Sequence, residues 1–192
     1  MDLKGKKLIL GSHSPRRQEL LSGLDVEFTV DTGNSFEEVF PADIPHRDVP
    51  ALMSEGKSFG FHRPLEKDEI LLTSDTMVLC GESMMGKPHS PQEAASMLRA
   101  LSGRWHEVVT AITLRDPDHH KSDVDIAKVH FRELTEEEIA YYIERYRPFD
   151  KAGAYGIQEW IGYVGITGIE GSFFTIMGLP VHLVYDSLLE FI

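Results

Sequence analysis

The run Lys7-Leu8-Ile9-Leu10-Gly11-Ser12-His13-Ser14-Pro15-Arg16-Arg17 compresses a strand, a turn and a helix start into one short segment. Leu8 to Leu10 form an apolar stretch of strand type, Gly11 and Ser12 a small-residue turn, and Ser14-Pro15 opens a helix through Gln18, Glu19, Leu20 and Leu21. Serine is a favoured N-cap. Proline suits the first helical position because its fixed φ matches the helix and its missing N–H would have had no partner there. The free N–H groups of that first turn, the Ser12 hydroxyl and the guanidinium groups of Arg16 and Arg17 then make an anion site, for which phosphate is the natural ligand. Taken alone, the pattern also suits a surface helix start with two solvated arginines.

Outward from this run, strands and helices alternate. Gly23 stops the first helix, residues 26–30 alternate like a strand, and residues 31–50, with Gly33, Asn34, several prolines and the pair Glu37-Glu38, read as a loop. Residues 50–60 read as a short helix carrying Lys57, and residues 69–80 as a strand interrupted by Thr73-Ser74-Asp75-Thr76. Ser90-Pro91-Gln92-Glu93 is a capping-box pattern before an apolar face of Ala94, Met97, Leu98 and Leu101, and Thr135-Glu136-Glu137-Glu138 is a second before residues 139–146. Residues 106–114 and 124–131 predict a hairpin with a long polar tip, residues 162–167 a strand, and Pro180 the start of a C-terminal helix with Val184, Leu188 and Phe191 on one side. The class is α/β with a mixed sheet, and no repeat or linker divides residues 1–192, so a single domain is expected.

Composition narrows the functions. With 42% hydrophobic and 26% charged residues the 192-residue chain reads as an ordered globular protein. A net charge of −12 argues against non-specific nucleic-acid binding, and a polyanionic small substrate would arrive with a divalent cation. The single cysteine, Cys80, excludes an internal disulfide and reads as a buried small hydrophobe. The first residues are too polar for a signal peptide and no segment approaches a membrane span, so a cytoplasmic protein is expected.

Several motifs carry chemistry. Gly81 to Lys87 has P-loop spacing, but Pro88 stands where Ser or Thr would hold magnesium, and strand, turn and short strand describe it better. Lys87, between Gly86 and Pro88, remains a fixed ammonium. Asp75 reads either as a solvated strand end or as a group facing a pocket, orienting water or holding a metal. Glu37 and Glu38 read either as solvated loop charges or as oxygen donors that join Asp75 around magnesium. The small-residue run Asp150-Lys151-Ala152-Gly153-Ala154-Tyr155-Gly156-Ile157-Gln158 permits close backbone approach. Its terminal amide suits the edge of a nucleobase or a backbone group. The histidines have no zinc-site spacing.

Together and in this order, these runs, with Met97-Leu98-Arg99-Ala100-Leu101-Ser102-Gly103 and Gly178-Leu179-Pro180, resemble the Maf family of nucleoside triphosphate pyrophosphatases over nearly the whole chain. The resemblance implies a fold like that of the inosine triphosphatases, an elongated mixed sheet with helices in two lobes around a central cleft. It implies hydrolysis of a nucleoside triphosphate to the monophosphate and pyrophosphate with a divalent cation, magnesium or else manganese or cobalt. The form of the Asp150 to Gln158 run is similar to the subgroup acting on dTTP and UTP. Carried over, Asp75 matches the proton acceptor; Arg16, Thr76 and Gln158 match positions linked to substrate choice; Ser12, Arg17, Lys57 and Lys87 match phosphate-site positions. Glu38, with Glu37 as the fallback, matches an acidic site residue that would share the metal with Asp75. Departures include Gly11 and Ser74 where alanine is usual, Thr175 where asparagine is common, and Gly56-Lys57-Ser58 in place of a more helical Glu-Lys-Ala. Rival readings are a nucleotide-sensing binding protein, suggested by the family's link to septum formation and cell division, and a pyrophosphatase of broad or modified-nucleotide range. A homodimer is compatible with the resemblance.

Overall fold

The computed structural model describes residues 1–192. Its strands are β1 (Lys7–Leu10), β2 (Phe28–Val30), β3 (Glu69–Cys80), β4 (Ser83–Met85), β5 (Trp105–Arg115), β6 (His120–Phe131) and β7 (Ile166–Glu170). Its helices are α1 (Pro15–Ser22), α2 (Val49–Phe59), α3 (Pro91–Leu101), α4 (Glu136–Tyr146), α5 (Trp160–Gly165), α6 (Phe173–Met177) and α7 (Val181–Phe191). The strands form one sheet in the order β2-β1-β3-β5-β6-β7, with β4 paired to β3. β1 is parallel to β2 and β3, whereas β4 is antiparallel to β3 and β7 to β6, so the sheet is mixed as the alternation of elements predicts. No helix is long and apolar enough to cross a membrane.

The chain divides into two compact units. The first gathers Met1–Asp75, Thr110–Asp125 and Gly178–Ile192, the second Thr76–Val109 and Ile126–Met177. In the first, α1 is the crossover between parallel β1 and β2. Leu8, Ile9 and Leu10 of β1 and Ile70, Leu71 and Leu72 of β3 are all buried, the continuous apolar pattern of strands covered on both faces. Leu21, Ile112, Leu114, Val184 and Leu188 join that core. In the second, α3 packs on α4 over Leu98, Leu101, Ile139 and Tyr142.

Most elements lie where the pattern puts them, and the differences have physical reasons. The hairpin tip is shorter than expected, because Asp116 Oδ1 accepts the amides of Asp118 (2.9 Å) and His119 (2.7 Å) and the strands run up to that turn. At Ser90 the cap forms only by half: Ser90 Oγ accepts the Glu93 amide at 3.1 Å, but Glu93 Oε2 takes the amide of His89 at 2.7 Å. At Thr135 the capping box is complete. Residues 162–167, expected as a strand, begin as the helix α5, and β7 starts only at Ile166. The turn is wound by Glu159, whose carbonyl accepts from Gly162 N at 2.9 Å and whose carboxylate is held by Lys151 Nζ at 3.1 Å and by Tyr142. That anchoring joins distant residues and leaves no local pattern. The sequence reading did not single out α6, a helix of little more than one turn, although Ser172 precedes it and Gly178, at φ 109, follows it. Cys80 is half-buried rather than buried, its thiol 3.6 Å from the Ala100 carbonyl.

Candidate active site

In the first unit the end of β1 lies beside the middle of β3, because Gly11 N donates to Leu72 O at 2.8 Å. The Gly11-Ser12 turn, at the carboxyl end of β1, therefore abuts Thr73-Ser74-Asp75 in the middle of β3, just past the last residue paired with β1; open α/β sheets place their ligands outside the carboxyl ends of parallel strands such as β1. Each residue of the polar break has a partner. Thr73 Oγ1 donates to Ser54 O at 2.8 Å, while Ser54 Oγ donates to Thr73 O at 3.2 Å and lies 2.9 Å from Thr113 Oγ1. These bonds between buried groups pin α2 to β3. One turn further along α2, Lys57 Nζ then lies 2.6 Å from Asp75 Oδ1 and 3.0 Å from Glu38 Oε1. The Lys57 and Asp75 side chains are only 18% and 14% exposed, so this ion pair is weakly screened. Of the two acidic loop residues, Glu38 reaches the cluster; Glu37 is exposed.

Arg17 braces the turn. Its Nε donates to Gly178 O at 2.8 Å and its Nη1 to Ser74 O at 2.8 Å and to Ser12 Oγ at 3.4 Å. Burial pulls the guanidinium below its usual range and Asp75 holds it up, but an arginine stays charged. Much of its donor capacity goes to backbone, so its first effect on the site is to lock Ser12 beside Ser74. The buried Ser12 hydroxyl accepts from Arg17 and, at 3.2 Å, from Ser14 N, which leaves its own proton to donate. The N–H groups expected at the start of α1 are fewer than the pattern suggests: Pro15 has none and Arg17 N donates to Ser14 Oγ at 3.4 Å, while Gln18 N makes the first intrahelical bond to Ser14 O at 3.2 Å. Arg16 is half-buried in the first turn. His13 Nε2 pairs with Thr32 Oγ1 at 2.6 Å.

Thr76, Lys87 and Gln158 belong to the second unit. Thr76 follows Asp75 in β3 and so points to the opposite face. Lys87 is exposed in the turn after β4. Gly153 N donates to Gly86 O at 3.1 Å, tying the loop of Lys87 to the run that ends at Gln158. A Cβ at residue 153 would meet Val78 Cγ2 at 2.9 Å, which is the close approach that the small residues predict. Gln158 Oε1 is buried without a hydrogen-bond partner, an acceptor waiting for a donor. Around it the backbone is fixed by residues the sequence reading did not single out as functional. Lys151 Nζ lies 2.8 Å from Asp150 Oδ1 and 3.1 Å from Glu159 Oε1, and the Tyr142 hydroxyl donates to Glu159 Oε2 and accepts Gly156 N at 2.9 Å. Burial and the Glu159 charge push the Tyr142 hydroxyl well above its ordinary value, so it remains a donor. Ser54, equally unanticipated, shows in the sequence only as one of two serines, with Ser58, on the buried face of α2.

No group of three or more His, Cys, Asp or Glu side chains gathers to hold a metal ion. Glu38 and Asp75 nevertheless present carboxylate oxygens to one cation, Lys57. Magnesium binds through one or two carboxylates, with phosphate oxygens and water completing its shell, so this donor set fits an ion that arrives with its substrate.

The family model described as Maf-like protein matches residues 7–191. A dTTP/UTP pyrophosphatase of Porphyromonas gingivalis is 45% identical over 192 residues, covering 99% of this chain and 96% of that one. The dTTP/UTP pyrophosphatase of Phocaeicola vulgatus is 43% identical over 187 residues, covering 97% of each. Among solved structures, a HAM1 protein from Coxiella burnetii aligns with a TM-score of 0.39 at 14% identity, over 66% of this chain and 73% of that one. The chain belongs to the Maf family.

Proposed function

We propose that this protein hydrolyses dTTP and UTP, and modified pyrimidine nucleotides of the same shape, to the nucleoside monophosphate and pyrophosphate. The observation that carries the reading is the Glu38–Lys57–Asp75 cluster set beside the Ser12 turn: a carboxylate base, an ammonium and a hydroxyl donor gathered where β1 ends against β3. In this mechanism Lys57 engages Asp75 Oδ1, and the other carboxylate oxygen takes a proton from water as the water oxygen attacks the α-phosphorus. The bond from the α-phosphorus to its bridging oxygen breaks, and pyrophosphate leaves with the electron pair. Ser12, Arg16, Arg17 and Lys57 stabilise phosphate oxygens, and Lys87 neutralises the leaving group. Each charge-assisted contact contributes about 1.5–3 kcal/mol. Glu38 and Asp75 would hold the divalent cation, which supplies charge neutralisation along the triphosphate.

Base choice falls to Gln158, with Arg16 and Thr76 at the other positions that the family resemblance links to substrate choice. Its unpartnered Oε1 requires a donor, and uracil and thymine carry an N3–H where cytosine carries a bare nitrogen. The names of the relatives support the same pair of nucleotides. On this reading the protein works in the cytoplasm on free nucleotides rather than on nucleic acid or membranes, which the net charge of −12 favours. The test is pyrophosphate release with magnesium over a panel of natural and modified triphosphates. Asp75→Asn should lower kcat by about 10²–10⁴-fold while nucleotide still binds. Normal turnover in that variant would remove Asp75 as the base; silence of the wild type with nucleotide bound would turn the reading to a nucleotide sensor.

A further inference from the structure

Gly56 of α2 and Gly60, which caps that helix, lie one turn apart, and together they make a notch in its surface. The Phe36 ring fills it. A Cβ built on Gly56 would stand 2.2–2.7 Å from three Phe36 ring carbons, and one on Gly60 would stand 2.7 Å from Phe36 Cβ. Phe36 is half-buried, while Glu37 to Phe40, which follow it, are all exposed. The approach to the notch is fixed by hydrogen bonds. Ser35 N donates to Gly60 O at 2.9 Å, Asn34 Oδ1 accepts Phe36 N at 2.8 Å, and the Asn34 amide donates to Lys57 O. Two residues beyond the ring, Glu38 meets Lys57, the residue next to Gly56.

We propose that Phe36 is a positioning residue: seated against Gly56 and Gly60, its ring latches the acidic loop onto α2 and so sets Glu38 on the Lys57–Asp75 pair. This accounts for Gly56, where the family resemblance leads one to expect a better helix former. An alanine there would favour the helix but displace the ring. The proposal rests on the nucleotide reading for its effect on rate, and on packing alone for its effect on the loop.

Hydrogen exchange and pyrophosphate release measured on the same full-length proteins separate the two. Gly56→Ala and Phe36→Ala should each speed exchange of the Ser35 and Phe36-position amides by about tenfold or more, since a local opening then needs no ring to leave. Gly56→Ala should add nothing to Phe36→Ala, and Phe36→Leu, which refills the notch, should restore protection. In step, kcat/KM should fall by about 10- to 100-fold in both single variants, the scale of a small misplacement at a reacting site. In the Glu38→Gln background, Phe36→Ala should cost little further. Wild-type exchange in Gly56→Ala overturns the latch, and so does lost protection with unchanged turnover in an active enzyme. The expected exchange pattern in a protein that hydrolyses no nucleotide supports the latch and overturns the nucleotide reading alone.

Discussion

Acid should weaken this protein well before its carboxylates protonate, and His106 is the reason. Its side chain is 2% exposed, stacked on Phe131 with ring centroids 5.6 Å apart, and its Nε2 lies 2.7 Å from the Tyr155 hydroxyl. Nδ1 has no partner, so an imidazolium would bury a charged N–H with nothing to accept it. Burial first, and then nearby His130, push this histidine down to about 4. In the unfolded chain it titrates near its ordinary value of about 6.5. A depressed folded value means that the stabilisation is complete above the unfolded value and is lost as pH falls towards the folded one, because the unfolded state binds the extra proton. Over pH 7 to 5 the linkage relation gives a loss of about 2 kcal/mol. With a urea slope of about 2 kcal/mol/M, the midpoint should drop by about 1 M. Asp31, Glu69 and Glu138, which hydrogen bonds from His62, Arg63 and Arg132 hold below their usual range, add their own losses mainly below about pH 5. The assay is urea unfolding at closely spaced pH values for the wild type and His106→Gln, a neutral side chain that does not titrate. The wild-type curve should be the steeper between pH 7 and 5. Parallel curves would refute the reasoning, whatever the offset between the two proteins.

Lys57→Met should reduce kcat/KM by about 10- to 100-fold, the value of one charge-assisted contact, in the pyrophosphate-release assay; an unchanged rate would remove the ammonium from the mechanism. With Gln158→Ala, the preference for UTP over CTP should shrink by about tenfold or more, because a site built to accept a proton rejects the base that lacks it. Equal preference before and after the change would end its reading role. Thr135→Ala, which breaks the complete capping box at α4, should cost about 1 kcal/mol and lower Tm by about 2–4 °C with turnover unchanged. A melt at the wild-type temperature would mean that the cap adds nothing.

Local chemistry made the strand, turn and helix from Lys7 to Arg17 readable, as it did β3, where the observed bounds Glu69–Cys80 match the apolar pattern. Proline, serine and the apolar periodicity located α3, α4 and α7 for the same reason: those signals act within a turn or two of the chain. What could not be read depends on partners far away in sequence. α5 is wound by a glutamate held from Lys151 and Tyr142, and Thr73 looks like a break in a strand until Ser54 is seen to bond it. At the site, residue types pointed to Ser12 and Asp75 and the family resemblance to Lys57, but neither to Arg17 being spent largely on the carbonyls of Ser74 and Gly178. That Glu38 meets Lys57 could not be read either, since adjacent residues in an exposed loop carry no periodicity.

The Gly178 carbonyl that receives Arg17 at 2.8 Å also lies 3.4 Å from the Ser74 hydroxyl, so one acceptor from far along the chain braces both the helix after β1 and the polar break of β3. Closing a contact between residues so distant in sequence carries a large entropy of loop closure, and nothing local rewards it. The Ser12 turn is therefore set last: its brace forms only after the strands of the first unit have paired and carried Gly178 to it.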